Sequence, residues 1–369
     1  MSAAITNGKP EARPYISRLS ISGFKSIRHV ELELGRLNIL IGSNGSGKSN
    51  LASVVRMLKA YADQSLAKFV ARSGGANSIL NNGAKHTTSV KIAMVLSRPI
   101  PATSEVVLEY AESDQLSIVS EWSEGISEAR LAKSGWRESV LAGETEWAAF
   151  SMQLRGFLAF HLNDTSPEAR IRLTGDLDDN VQLHGDGRNL AAFLYKLQQV
   201  RPEHFRVLTC TIKLVAPFFD SFVLRPNELN PRTIMLRWRE AGSGEEFGCH
   251  QLSDGTLRFI ALAALLSQPK ESLPSLIFLD EPEMGLHPAA LTHLVGMIKT
   301  AAMHSQVIVA TQSVEMLNHF GAEDVIVVER HEGATEFKRL DPTALTEWLE
   351  DYSLGELWLK NIIGGRITR

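Results

Sequence analysis

An eight-residue segment, GSNGSGKS at residues 42–49, has the residue types and spacing of a phosphate-binding loop. It fits the pattern G-x-x-x-x-G-K-[S/T], in which glycines let backbone N–H groups converge on a phosphate and the next helix adds its positive end. Lys48 would contact the outer phosphates of ATP, and Ser49 would bind Mg²⁺. The predicted nucleotide-binding residues of this loop are Gly42, Ser43, Asn44, Gly45, Ser46, Gly47, Lys48, Ser49 and Asn50.

Two adjacent carboxylates follow an apolar segment in SLIFLDEPE, residues 275–283. A buried strand would bring Asp280 beside the phosphate loop to hold Mg²⁺, and Glu281 would position and polarise the attacking water. An ordinary core strand that ends in a solvated acidic turn is the alternative. The presence of the phosphate loop favours the catalytic interpretation.

The segment HQLSDGTLR, residues 250–258, places a hydroxyl and a glycine where a helix begins. Ser253 and Gly255 could hold a phosphate from outside through backbone N–H groups and the hydroxyl. Ser253 as a plain helix N-cap is the alternative, and one residue can serve both purposes. Its position ahead of Asp280 favours the phosphate role.

Apolar periodicity predicts the elements that position these motifs. Residues 15–41 predict three strands, and residues 49–62 carry apolar side chains at helical spacing. Buried strands that alternate with helices after Ser253 predict a parallel sheet covered on both faces. Further predicted elements are an antiparallel sheet with strands at Val90 to Leu96, Glu105 to Tyr110 and Leu116 to Trp122, a helical lobe at about residues 189–206 interrupted at Pro202, and an apolar-striped helical tail.

The predicted fold is a mixed α/β head that forms one domain. Its predicted segments are residues 1–14 as a flexible tail, 15–150 as an N-terminal lobe, 151–256 as a helical lobe, 257–335 as a core lobe, and 336–369 as a helical tail. The helical lobe contains residues 252–255, the LSDG segment.

Composition excludes several classes of protein. The 369 residues are 44% hydrophobic and 22% charged, with a net charge of −4, so neither a disordered chain nor a strongly basic one is indicated. Cys210 and Cys249 are too few for a disulfide framework or a four-thiolate zinc site and indicate a reducing compartment. No apolar run approaches the length of a membrane-crossing helix, and the N-terminus lacks a signal peptide. We therefore expect a cytoplasmic protein without a membrane partner.

The order of motifs resembles the ABC-type ATPase heads of the RecF and SMC kind. More specifically, the chain is similar to stand-alone RecF-like ATPases, which are sometimes grouped with OLD-type ATPases. The resemblance implies an ABC-type P-loop NTPase head with an N-terminal antiparallel β subdomain, a parallel core sheet, a helical lobe and no long coiled coil. The segments that carry it are GFKSI, GSNGSGKSN, LSDGTLR, FLDEPEMGLHP and VIVATQS, followed by FHLNDTS, DGRNLAAFL and SLGELWLKNIIGG.

The same resemblance implies a homodimer that closes head to tail around two ATP-Mg²⁺, so that neither subunit alone has a complete site. Each nucleotide would be bound by Lys48 and Ser49 of one subunit and covered by the LSDG segment of the other. Glu281 would be the catalytic base, and residues 285–288 would meet the opposite subunit. Phe24, Lys25 and Ser26 match a segment that lies near the nucleotide in SMC-like heads.

The sequence also departs from that pattern. Gln312 stands where ABC heads commonly have His, and an amide can orient water but cannot take a proton, so we expect slow turnover. Asp254 replaces a glycine and adds negative charge near the bound phosphate. No glutamine loop can be assigned, although FHLNDTS offers His161, Asn163 and Asp164. A histidine at an ordinary strand end is an equal alternative there.

For one histidine and two tryptophans, a structural role is preferred to a functional one. His287 has no second His or Cys at ligand spacing, so no metal other than Mg²⁺ is predicted. Trp348 and Trp358 recur with leucines in the tail, and packing against the head is preferred to a partner-docking surface.

The output of the predicted ATPase has two interpretations, of which action on DNA is the first and a regulatory switch is the alternative. One is a DNA-acting enzyme in repair, genome maintenance or anti-phage defence. Residues 201–239 carry seven basic side chains that could contact duplex DNA without reading sequence, or could form an ordinary solvated face. The other is a slow ATP-dependent switch that controls a separately encoded effector, such as a nuclease or toxin. The switch is favoured by Gln312, by Asp254 and by the expectation that too little chain follows the last core strand for a nuclease domain. A transporter subunit is a distant third.

Overall fold

The computed structural model describes residues 13–97, 102–123, 130–139, 145–162 and 164–366. They fall into two units. The first runs to Gly35 and resumes from Ala60 to Gly156, and the second comprises Arg36–Lys59 and the chain from Phe157 onward. Residues 1–12 of the predicted flexible tail lie outside the described residues, and the finer five-segment division stays a prediction.

The strands and helices are numbered in chain order. The strands are β1 (Ile16–Phe24), β2 (Ile27–Glu33), β3 (Leu37–Ile41), β4 (Ser89–Leu96), β5 (Thr103–Ala111), β6 (Gln115–Ser123), β7 (Arg130–Trp136), β8 (Phe157–Phe160), β9 (Gly175–Asp176), β10 (Phe219–Val223), β11 (Thr233–Ile234), β12 (Arg237–Glu240), β13 (Glu246–Gly248), β14 (Leu276–Asp280), β15 (Gln306–Thr311), β16 (Val325–His331) and β17 (Ala334–Arg339). The helices are α1 (Lys48–Ala62), α2 (Leu66–Arg72), α3 (Thr145–Arg155), α4 (Leu190–Val200), α5 (Pro202–Val215), α6 (Asp254–Leu266), α7 (Pro288–Ala302), α8 (Val314–Leu317), α9 (Thr346–Asp351) and α10 (Leu354–Leu359).

The first unit contains a six-stranded antiparallel sheet in the order β2-β1-β4-β5-β6-β7. Alternation of apolar and polar residues sets its register, so that Ile21 lies opposite both Val30 of β2 and Ile92 of β4. Trp147 of α3 is fully buried and packs edge-on against Tyr61, with ring centroids 5.6 Å apart. The predicted antiparallel sheet is confirmed.

The second unit is built on a six-stranded sheet in the order β17-β16-β3-β15-β14-β8. All neighbouring pairs are parallel except β16 and β17, which form an antiparallel hairpin. Every residue of β14 and β15 is buried, as expected for central strands that are covered on both faces. The predicted parallel core sheet is confirmed, and its carboxyl edge carries the candidate site.

Helices of the second unit bury long apolar faces. Residues Phe259–Leu266 of α6 are all buried. The predicted helical lobe is two helices, α4 and α5, and the break falls at Pro202 because proline lacks the N–H that a continuous helix requires. The longest helices described have 15 residues, far shorter than a coiled-coil arm. Within the described residues, no helix is both long and apolar enough to cross a membrane.

The closing tail packs into the second unit. Leu354, Leu357 and Trp358 are buried in its hydrophobic core, whereas Trp348 is 44% exposed. The expected packing of the tail against the head is therefore seen for Trp358 and not for Trp348. The difference arises because α10 turns its apolar stripe inward, while no residue of α9 is buried.

Candidate nucleotide-binding site

The phosphate loop connects β3 to α1, as the sequence predicts. Gly45 and Gly47 adopt positive φ angles of 80° and 113°, a conformation that glycine tolerates best. A Cβ on Gly47 would lie 2.1 Å from Thr335 Oγ1, which itself donates a hydrogen bond to the Ser46 carbonyl (2.9 Å). Thr335 on the neighbouring hairpin thus holds the loop from behind, a contact that the motif alone does not reveal.

Lys48 lies at the start of α1 and is only 5% exposed. Its Nζ donates hydrogen bonds to the carbonyls of Gly42 (2.5 Å) and Ser43 (3.0 Å). Burial lowers the pKa of Lys48, and the carboxylates of Glu281 and Asp280 oppose this effect by favouring the charged form. The lysine charge therefore lies in the field of the acidic residues at the end of β14.

Strand register brings the loop and the acidic motif to one edge. Asp280 pairs with Ala310 of β15, and Ala310 pairs with Leu40 of β3, two residues before Gly42. Two strand spacings of roughly 4.8 Å separate β14 from β3. The sheet thus brings to one edge residues that are more than two hundred positions apart in sequence.

The Asp280 carboxylate fits the role of a Mg²⁺ ligand. Its side chain is 3% exposed, and Oδ2 lies 3.3 Å from Nδ1 of His161. Neither atom has a hydrogen-bond partner among the described residues. Buried polar atoms rarely lack a hydrogen bond in native proteins. A hard cation shared with the Ser49 hydroxyl would satisfy the carboxylate oxygen.

Glu281 directly follows the strand in a strained conformation, with φ at 48°. Its N–H donates to the Ala310 carbonyl (2.8 Å), which fixes the backbone. Its Oε1 accepts a hydrogen bond from Gln312 Nε2 (3.1 Å). The two residues predicted to be catalytic are thus in direct contact, and Gln312 orients the carboxylate.

Glu283 is a further acidic residue whose place in the site the sequence analysis missed. The Thr311 hydroxyl donates a hydrogen bond to its Oε1, and its Oε2 is buried without a hydrogen-bond partner among the described residues. Burial raises the pKa of Glu283 above its ordinary value of 4.5. Its position within the DEPE run is the only sequence signal that could have identified it.

The raised pKa of Glu283 gives a testable pH dependence. Such a carboxyl stabilises the fold most below its unfolded pKa, and this contribution is lost as the pH rises through the folded pKa. We expect Glu283→Gln, which cannot ionise, to become more stable relative to the wild type as the pH rises from about 5 to about 8. Urea unfolding at both pH values measures this, and a difference that stays constant or shrinks would contradict it.

The LSDG segment begins α6. Ser253 is the N-cap, and its Oγ accepts a hydrogen bond from the Thr256 N–H (3.2 Å). A Cβ on Gly255 would lie 2.2 Å from the carbonyl oxygen of Gly285, so the helix start packs directly on the loop that follows Glu281. The capping role of Ser253 is confirmed, and contact with a phosphate stays a prediction.

The charge of Asp254 is offset by a residue that the sequence analysis did not identify. Arg172 Nη2 lies 2.7 Å from Asp254 Oδ1, and the arginine side chain is 5% exposed. Arg172 also donates to the carbonyls of Thr165 (2.8 Å), Cys249 (2.5 Å) and Leu252 (3.2 Å). The negative charge expected beside the phosphate is therefore paired within the same subunit.

Arg172 is expected to matter more for stability than its acidic partner. Arg172→Ala would leave three buried carbonyls without their donor and should lower the free energy of unfolding by about 3 kcal/mol. Asp254→Asn, at an exposed position, should cost less than about 1 kcal/mol. Urea denaturation of both variants tests this order, and a larger loss for Asp254→Asn would contradict it.

Comparisons with known proteins agree with this geometry. A sequence family described as "AAA domain, putative AbiEii toxin, Type IV TA system" matches residues 37–318, well over half of the chain. The chain belongs to this AAA-domain family. No curated protein matches it. The match includes the phosphate loop, Asp280, Glu281 and Gln312, and it ends before the closing tail of this AAA-domain protein.

Solved SMC heads share its fold. An Smc head bound to the C-terminal winged-helix domain of ScpA is 18% identical, with a TM-score of 0.60 over 90% of this chain and 99% of that one. An Smc head with an extended coiled coil, bound to the C-terminal domain of ScpA and derived from Pyrococcus furiosus, is 16% identical. Its TM-score is 0.61 over 92% of this chain and 99% of that one. An Smc head domain with a coiled coil and joint from Pyrococcus yayanosii is 13% identical, with a TM-score of 0.55 over 92% of this chain and 99% of that one.

These similarities confirm the predicted fold. The AAA-domain protein has the ABC-type P-loop architecture of an SMC or RecF-like head. The relation to OLD-type ATPases stays a prediction.

Residues outside the motifs described above are also predicted to lie near the nucleotide. Phe24, Lys25 and Ser26 form the β1–β2 turn of the first unit, where the Lys25 N–H donates to the Ile79 carbonyl (2.7 Å), and their proximity to the nucleotide stays a prediction. Asn163 lies outside the described residues, and Asp164 accepts a hydrogen bond from the Ser166 N–H (3.0 Å).

His287 has a structural role in this AAA-domain protein. It is the N-cap of α7, and its Nδ1 accepts a hydrogen bond from the Ala289 N–H (3.2 Å). The described ranges contain no cluster of three His, Cys, Asp or Glu side chains that could hold a metal ion. Cys210 and Cys249 are both free thiols.

Proposed function

We propose that the chain binds and hydrolyses ATP with Mg²⁺, slowly, as an ABC-type ATPase head. The observation that carries this proposal is the Glu281–Gln312 hydrogen bond at the sheet edge where β3 leads into the phosphate loop. Fold similarity to SMC heads and the AAA-domain family support it.

The residues divide the chemistry among them. Loop N–H groups and Lys48 bind the phosphates, and Glu281 takes the proton from the attacking water. Gln312 orients Glu281 and cannot itself accept a proton. Mg²⁺, held by Ser49 and Asp280, would neutralise charge on the phosphates. Turnover is slow because a neutral amide replaces the histidine that ABC heads commonly place at this position.

We further propose that the active form is a head-to-tail homodimer. Ser253 and Asp254 are exposed at the start of α6, where they are accessible to a second subunit. Together with Gly255 they would cover the nucleotide held by Lys48 of the partner. The Arg172–Asp254 ion pair lowers the repulsion between that surface and a bound phosphate.

The output that the structure favours is control of a separate effector protein. Four of the seven basic side chains in residues 201–239 are in ion pairs within the same unit. These pairs are Lys213 with Asp220 (3.1 Å), Arg225 and Arg239 with Glu246 (2.8 and 2.9 Å), and Arg232 with Asp178 (3.8 Å). Such pairing weakens the positive field that a DNA backbone requires. The SMC heads of two similar structures are bound to a protein partner, and the family description names a toxin system.

Sequence-independent binding of duplex DNA is the second candidate, favoured by the remaining positive charge of the same segment. It would place the ATPase in repair, genome maintenance or anti-phage defence. A cytoplasmic location is consistent with either output and is part of the proposal.

Steady-state ATP turnover with and without linear duplex DNA, at two salt concentrations, distinguishes the two outputs. Lys48→Ala is the blank. We expect slow turnover that DNA does not change, as a protein-controlled switch requires. Strong stimulation that falls with salt would show DNA action instead, and turnover no faster than the blank would overturn the ATPase itself.

A further inference from the structure

The closing segment of the chain, residues 353–366, lies outside the matched family region and reaches the phosphate loop. The backbone N–H of Ser43 donates a hydrogen bond to the Gly365 carbonyl (2.9 Å). The N–H of Gly365 in turn donates to Glu329 Oε1 (2.6 Å) on β16, the strand beside β3. The segment is therefore bonded both to the loop and to the strand that flanks it.

Two glycines allow the backbone of the segment to approach the phosphate loop closely. Gly364 and Gly365 have positive φ angles of 81° and 84°. A Cβ on Gly365 would lie 3.0 Å from Val327 Cγ1, 3.1 Å from Trp358 Nε1 and 3.6 Å from Gly42 Cα. A side chain here would be strained in backbone conformation and crowded on several sides, so the Ser43 hydrogen bond depends on glycine.

The other end of the segment packs on α8, which begins two residues after Gln312. The Gly355 N–H donates to Asn318 Oδ1 (2.7 Å), and a Cβ on Gly355 would lie 2.9 Å from the Val314 carbonyl oxygen. Buried side chains of α10 hold this end in the core. One continuous segment thus contacts both the phosphate loop and the helix that follows Gln312.

We propose that residues 353–366 form a strap that holds the phosphate loop in its nucleotide-binding conformation, with the Gly365 carbonyl as the positioning group. Ser43 precedes the loop residues whose N–H groups would bind a phosphate, so fixing Ser43 lowers the conformational freedom that binding must remove. The proposal rests on the nucleotide binding proposed above. Gly365 acts through the loop and needs no contact with the nucleotide.

The strap itself can be tested without nucleotide. A chain that ends at Ile363 keeps the buried side chains of α10 and removes the Gly365 carbonyl, and Gly365→Ala perturbs it in the full chain. Gly333→Ala is the matched control, because Gly333 has a φ of 80° and no atoms near its Cβ position. In hydrogen–deuterium exchange, we expect the Ser43 amide to exchange about tenfold faster or more in the first two variants and unchanged in the control.

ATP affinity supplies the second measurement. We expect the dissociation constant to rise about five- to tenfold in the chain ending at Ile363 and in Gly365→Ala, with kcat at saturating ATP within error. The melting temperature of the nucleotide-free protein should stay within error in the shortened chain and fall in Gly365→Ala, where the alanine is strained at a positive φ. A merely structural role of the segment would lower the melting temperature of the shortened chain and leave its ATP affinity unchanged.

Each alternative outcome overturns a defined statement. Equal Ser43 exchange in the full and shortened chains would show that the segment does not hold the loop. Faster exchange with unchanged ATP affinity would show that holding the loop does not position the nucleotide. Failure of the wild type to bind ATP would overturn the proposed function, while the exchange result would still decide whether the strap holds the loop.

Discussion

Glu281→Gln is expected to bind ATP normally and to lose at least about 100-fold in turnover, the typical contribution of a general base. The amide has the same size and keeps an oxygen that can accept the hydrogen bond from Gln312 Nε2, so the geometry of the site is preserved. It cannot take a proton from water. Because hydrolysis is what would reopen the proposed dimer, ATP should trap this variant as a dimer.

Phosphate release and light scattering with size-exclusion chromatography measure these two effects. Glu315→Gln is the matched control, since Glu315 is an exposed acidic residue in the first turn of α8 and should leave turnover unchanged. Full activity of Glu281→Gln would remove Glu281 from the catalytic role and direct attention to Glu283, whose carboxyl accepts a hydrogen bond from Thr311 of β15.

Lys48→Ala is expected to weaken ATP binding by about 100-fold or more. The variant loses a buried charge that would make charge-assisted hydrogen bonds to phosphate oxygens, which are stronger than neutral ones. It also removes the donor to the Gly42 and Ser43 carbonyls, so the loop loses two of its internal hydrogen bonds. The carboxylates of Asp280 and Glu281 would then act on the phosphates without the compensating lysine charge.

Titration of ATP by calorimetry, with far-ultraviolet circular dichroism to verify folding, measures the effect of Lys48→Ala. Lys59→Ala, near the other end of the same helix, controls for the loss of a lysine from α1. ATP affinity equal to that of the wild type would show that the glycine-rich loop does not bind phosphate through this lysine.

Local patterns predicted most of the fold. Period-two alternation predicted β4, β5 and β6, and apolar runs predicted the buried strands β14 and β15. These predictions succeeded because burial on one or both faces imposes a simple repeat on the chain. β7 and α3 were not predicted, since RLAKSGW and TEWAAFSMQLR show no strong repeat.

The amino-acid sequence by itself determined the residues of the candidate site: a glycine-rich loop with Lys48 and Ser49, an acidic pair at a strand end, and an amide at Gln312. Only the tertiary structure decided which residues support them. Arg172 with Asp254, Thr311 with Glu283, and Gly365 with Ser43 are pairs separated by between 28 and 322 residues. Local periodicity reports whether a side chain is buried, whereas such contacts depend on which strand edges and loops the sheet brings together. For that reason the strap on the phosphate loop became visible only in the folded chain.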